Sequence, residues 1–117
     1  MSSLTESVDK AIAAHGMWKV KFKQMVAGEA KIDAALTRRC DACEFGKWLG
    51  AEGKSSLGAS YDAVYQAHQR FHTVAADVVE AHNRGQSDAV TAALHHSGEF
   101  AKAGAALTNL LSKLKAS

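Results

Sequence analysis

From Tyr61 to His82 the chain steps by four, three, four and three residues through Tyr61, Tyr65, His68, His72, Ala75, Val79 and His82. Side chains at that spacing share one face of an α-helix, so the stretch predicts a long helix whose stripe meets a partner helix. Two members of the stripe are unusual for a buried seam. His68 and His72 stand one turn apart and project toward the same place. Two polar rings there need a shared reason.

The same alternation recurs on both sides. Ser3-Leu4-Thr5-Glu6 has the S-x-x-E form of a capping box, so a first helix is expected from Ser3, facing inward with Leu4, Val8, Ala11, His15, Trp18, Phe22 and Met25 and stopping at Gly28. Lys31 to Leu57 is less regular and predicts one or two short helices around the apolar cluster Cys43, Phe45, Trp48 and Leu49. The third helix should run from about Ala59 to Arg84 and end at Gly85. Ser87 should then cap a fourth, with Asp88 in its first turn and a seam of Ala93, His96, Phe100, Ala103, Leu107, Leu110 and Leu114. The Gly85-Gln86-Ser87 link is so short that these two helices must lie antiparallel. With no proline, 47% hydrophobic residues and only 7% aromatic ones, the composition suits long helices. The expectation is an all-α fold: an antiparallel four-helix bundle with a short helical segment carrying Cys43, in one domain over residues 1–117.

Several functions are disfavoured at this level. A net charge of +2, with no basic block beyond Arg38-Arg39, does not suit nucleic acid. No apolar run approaches the roughly 20 residues of a membrane span. Glu6, Asp9 and Lys10 stand where a signal peptide needs its apolar stretch. Cys40 and Cys43 are too close to staple a fold, which suits a reduced, cytoplasmic setting.

The histidines suggest a metal site. His15 occupies an inward position where Leu or Val is the default, and Phe45 and Trp48 would bury Cys43 against the bundle. With His68 and His72 this gives three imidazoles and one thiol from three segments, a donor set that suits tetrahedral Zn²⁺. Four protein ligands would close the site and leave no bound water for hydrolysis. Taken singly, a seam histidine or a buried cysteine is ordinarily plain core.

The segment Cys43-Glu44-Phe45-Gly46-Lys47-Trp48-Leu49, the histidine 28 positions upstream, and His-x3-His at His68 and His72 together resemble the chemoreceptor zinc-binding (CZB) domain family. The resemblance covers nearly the whole chain. It implies a four-helix-bundle zinc sensor of bacterial signalling proteins, often dimeric and usually appended to chemoreceptors or diguanylate cyclases. It places the ligands on His15, Cys43, His68 and His72. No signalling coiled coil or cyclase is attached, so a stand-alone domain is expected, working as a homodimer with a chemoreceptor or cyclic-di-GMP system as its protein partner. Loss of zinc, or oxidation of Cys43, would be the signal.

Other residues invite plainer readings. Cys40 in Cys40-Asp41-Ala42-Cys43 is expected to be a non-ligand, or at most a resolving thiol. Arg38 and Arg39 could favour thiolate, but solvated helix-end charges are the simpler reading. His96, unlike His95, faces the seam and is the first substitute if a ligand is misassigned. His82 suits a surface role at a helix end. Trp18 and Trp48 read as core anchors, with Trp48 packed near the site on the strength of the resemblance. Two other functions remain open: a hemerythrin-like iron- or oxygen-binding bundle, and a structural dimerisation bundle without metal. An enzyme is not expected, because no nucleophile–base pair is evident.

Overall fold

The computed structural model describes residues 3–39, 41, 43–95 and 97–116. All regular elements among them are helical: α1 (Ser3–Gly16), α2 (Trp18–Val26), α3 (Ala34–Arg38), α4 (Glu44–Trp48), α5 (Lys54–Leu57), α6 (Tyr61–Asn83), α7 (Ser87–Leu94) and α8 (Glu99–Ala116). A widened turn at Leu49–Gly53 joins α4 to α5, and a tight turn at Gly58–Ser60 leads into α6.

α1 and α2 form the expected first arm, broken only at Met17, with Val8, Ala11, His15, Phe22 and Met25 buried. Trp18 is half-buried and tilts against Phe22, so it flanks the core without filling it. The side chains of Ser3 and Leu4 lie outside those described, and the capping box with them. Gly28 and Gly85 end α2 and α6 with φ of 81° and 74°, a left-handed conformation that side chains disfavour. Both ends close the same way. The Glu29 N–H donates to the Gln24 carbonyl at 2.8 Å, and the Gln86 N–H donates to the Ala81 carbonyl at 2.9 Å.

α6 buries a broader face than one stripe. His68, His72, Ala75 and Val79 are buried as expected, and Val64, Phe71, Val74 and Val78 join them. Tyr65 departs from the expectation: it is 39% exposed and stacks on Tyr61. The fourth arm also differs. Ser87 is the first helical residue of α7, and Gln86 precedes it with no side-chain cap. The arm then breaks after Leu94, where His95 has extended backbone and its Nδ1 accepts from the Ser97 N–H. That local bond competes with helix continuation. In α8, Phe100, Ala103, Leu107 and Leu111 are buried, and the expected Leu110 and Leu114 are only partly so.

The returning arm lies antiparallel to α6. Val78 and Ala81 share a groove with Ala89, and Arg70 pairs with Glu99 at 2.7 Å. α8 also packs on α1, and α3 packs on α6, giving an all-α bundle in which four helices pack together. The short α3 and α4 close over the part of α1 and α6 that carries the histidines.

Candidate metal centre

His15 lies in the last turn of α1 and is 6% exposed; His68 and His72, near the middle of α6, are 0% and 3% exposed. Cys43 immediately precedes α4, and its sulfur accepts from the Gly46 N–H at 3.3 Å. It is half-buried, more open than the expected burial behind Phe45 and Trp48. Those two rings stack on each other, 5.7 Å apart, and Phe45 meets the His68 ring edge to face at 5.1 Å.

The four side chains meet at one point. His68 Nε2 lies 3.1 Å from His15 Nε2, 3.1 Å from His72 Nε2 and 3.2 Å from Cys43 Sγ. All four donor atoms lie within 4.8 Å of one another. Tetrahedral zinc with ordinary Zn–N and Zn–S bonds requires donor separations of about 3.3 Å between nitrogens and about 3.6 Å from nitrogen to sulfur. The spacing fits the ion to within a few tenths of an ångström along these three edges.

The outer ring nitrogens fix the tautomers. His15 Nδ1 donates to the Ala11 carbonyl at 2.7 Å, and His72 Nδ1 donates to the Thr37 carbonyl at 2.9 Å. A carbonyl can only accept, so each Nδ1 carries the proton and each Nε2 turns a lone pair inward. His68 Nε2 can donate one proton at most, so it cannot satisfy the lone pairs of both His15 Nε2 and His72 Nε2, each 3.1 Å away. A cation among them can. His68 Nδ1 is buried and has no hydrogen-bond partner among the described residues.

Burial also keeps the rings neutral. Loss of solvation lowers His15 to about 4, only partly offset by its bond to Ala11. Desolvation, reinforced by His72 and His15, lowers His68 to about 3. His72 is lowered by desolvation too, against a smaller upward effect of the Thr37 bond. Neutral imidazoles are the form that binds metal.

Thr37 is a contact of the cluster that motif reading misses, because it meets His72 through its backbone carbonyl. It is buried, and its hydroxyl donates to the Asp33 carbonyl at 2.7 Å. The Asp33 carboxylate in turn accepts from the Leu36 N–H at 3.0 Å, capping α3. An Asp ahead of a short apolar run signals that cap; nothing in the sequence signals that α3 lands beside His72. Arg38 faces α6, pairing with Asp77 at 3.0 Å and Glu80 at 2.9 Å, and Arg39 pairs with Asp41 at 3.2 Å. Each arginine thus has a carboxylate partner. His95 is exposed and His82 half-buried, both away from the four donors. Cys40 and His96 lie outside the described residues.

No helix among the described residues is long and apolar enough to cross a membrane. No curated protein and no solved structure matches the chain. The family model of the chemoreceptor zinc-binding domain does, over residues 15–79, a span that opens on His15 and takes in Cys43, His68 and His72. That match covers more than half of the 117 residues: the chain belongs to the chemoreceptor zinc-binding domain family, whose cofactor is Zn²⁺.

Proposed function

We propose that this domain is a regulatory zinc-binding module of bacterial signalling in which His15, Cys43, His68 and His72 hold one Zn²⁺. The observation that carries the reading is the convergence of three Nε2 atoms and one sulfur, with two of the outer nitrogens committed to carbonyls. Zinc bound there would supply a cross-link among α1, α6 and the Cys43 segment, worth about 10–16 kcal/mol in structural sites. That exceeds the whole stability of many small domains, so occupancy can govern the order of the segment. Four protein donors leave no position for a reactive water, which favours regulation over hydrolysis.

Cys43 is the donor an oxidant would change. Conversion of its thiolate to sulfenic acid removes a ligand, frees the segment before α4 and alters a surface that a partner can read. The proposed setting is the cytoplasm, with a homodimer engaging a chemoreceptor or cyclic-di-GMP protein. A hemerythrin-like di-iron site is disfavoured, since the group of four contains no carboxylate.

Elemental analysis of protein purified without added metal should find about one zinc per chain. Cys43→Ala should remain helical yet lose more than the roughly 10–100-fold in zinc affinity that removal of an outer-shell partner costs. Unchanged stoichiometry and affinity in that variant would sink the ligand assignment.

A further inference from the structure

Two open pockets reach three of the four donor residues, and Cys43 lines both. One, of about 540 Å³, lies between α2 and α3 and is lined by Trp18, Lys21, Lys31 and Arg39 together with His72 and Cys43. The other, of about 490 Å³, lies between α1 and α4 and includes Lys10, His15, Cys43 and Glu44. His68 lines neither and has no exposure at all. The half-buried sulfur is therefore the corner of the cluster nearest solvent.

The two pockets differ in charge. In the second, Lys10 and Glu44 cancel. The first carries three cations against the single carboxylate of Asp33. With Arg39 paired to Asp41, Lys21 and Lys31 stand against the one carboxylate of Asp33, so the pocket keeps a net positive charge. Lys21 rests over the Trp18 ring, 4.5 Å from its centre, and neither it nor Lys31 has a carboxylate partner among the described residues. A positive, open pocket that ends on the accessible thiolate concentrates small anions there.

We propose that the pocket between α2 and α3 is the port for zinc exchange and takes a small anionic zinc chelator. The inference rests on the ligand set proposed above. Zinc held by four protein donors could exchange by gaining a chelator donor as a protein donor leaves, because Zn²⁺ has no strong geometric preference of its own. A carboxylate or thiolate of the chelator would donate a lone pair to zinc from the Cys43 side as the Zn–S bond breaks. The freed Cys43 thiolate would take a proton from water, the imidazoles of His15, His68 and His72 would give way to further chelator donors, and zinc would leave as the 2+ ion held by the chelator. Cys43 is the first donor released because His15 and His72 are locked to carbonyls and His68 is enclosed.

Zinc-loaded protein, mixed at low ionic strength with nitrilotriacetate or with the neutral tris(2-pyridylmethyl)amine, tests this. Transfer to nitrilotriacetate should rise in proportion to chelator concentration. Combining Lys21→Gln with Lys31→Gln should slow it by about 5–10-fold, in keeping with electrostatic steering, and leave transfer to the neutral chelator and the zinc content unchanged. Lys10→Gln, in the other pocket, should change neither rate. Transfer independent of chelator concentration, or equal slowing with both chelators, or no slowing in the lysine variant, overturns the port while leaving the zinc site standing. Wild-type protein that takes up no zinc overturns the ligand set and the port together.

Discussion

Burial gives each imidazole of the cluster two properties at once: a neutral ring and a fixed lone pair. Both have a cost in acid. His15 and His68 are lowered from 6.5 to about 4 and about 3, so between those values and 6.5 the unfolded chain binds protons that the folded chain refuses. Stability of the metal-free protein is therefore fully present above about pH 6.5 and falls as the pH drops through 6.5 toward 4 and then 3. The slope approaches about 1.4 kcal/mol per pH unit for each titrating histidine. Urea melts of chelator-treated protein across that range should show it, and a midpoint flat from pH 7 to 4 would contradict the burial argument. The histidines are the part of the site that the sequence makes legible, because each stands where Leu or Val is the default. Tyr65 shares the same stripe yet is exposed, since the ring leans on Tyr61 and the buried face of α6 extends instead through Val64, Phe71 and Val74. A stripe marks a direction and says little about the width of the face behind it.

Among the elements, α3 carries more of the site than its five residues suggest. Asp33 caps it, Thr37 lends a carbonyl to His72, and Arg38 ties it to Asp77 and Glu80. The arginine pairs are exposed and contribute little individually. The cap matters more. Asp33→Ala should cost about 1 kcal/mol of stability and, by loosening the Thr37 carbonyl, weaken zinc binding by up to about 10-fold, at the low end for outer-shell partners. Thermal melts with and without zinc, paired with competition titrations, would check both; an unaltered zinc affinity would show that α3 is not part of the support for His72. Between α2 and α6 the sequence predicts one or two short helices where the structure has three among the described residues, and no periodicity there runs long enough to orient them. The interruption at His95–Gly98 was hidden for the opposite reason. The helical spacing continues across it from Ala93 to Phe100, and the break shows only in the structure, in the extended backbone of His95 and its bond from the Ser97 N–H.

Across the whole molecule, the bundle brings together residues that are far apart in the chain. His15 and His68 are separated by 53 positions and Cys43 and His68 by 25, yet their donor atoms lie 3.1 Å and 3.2 Å apart. Three arms supply the donors, and the apolar core of Phe22, Phe71, Phe100 and Leu107 holds the arms in register. With zinc held as proposed, three neutral rings and one thiolate around the divalent ion would leave a net single positive charge, with Cys43 the most exposed of the four residues. X-ray absorption at the zinc edge of the purified protein tests this arrangement most directly. One sulfur at about 2.3 Å and three nitrogens at about 2.0–2.1 Å are expected. A shell of nitrogen and oxygen alone, or one with two sulfurs, would contradict a centre built from His15, Cys43, His68 and His72.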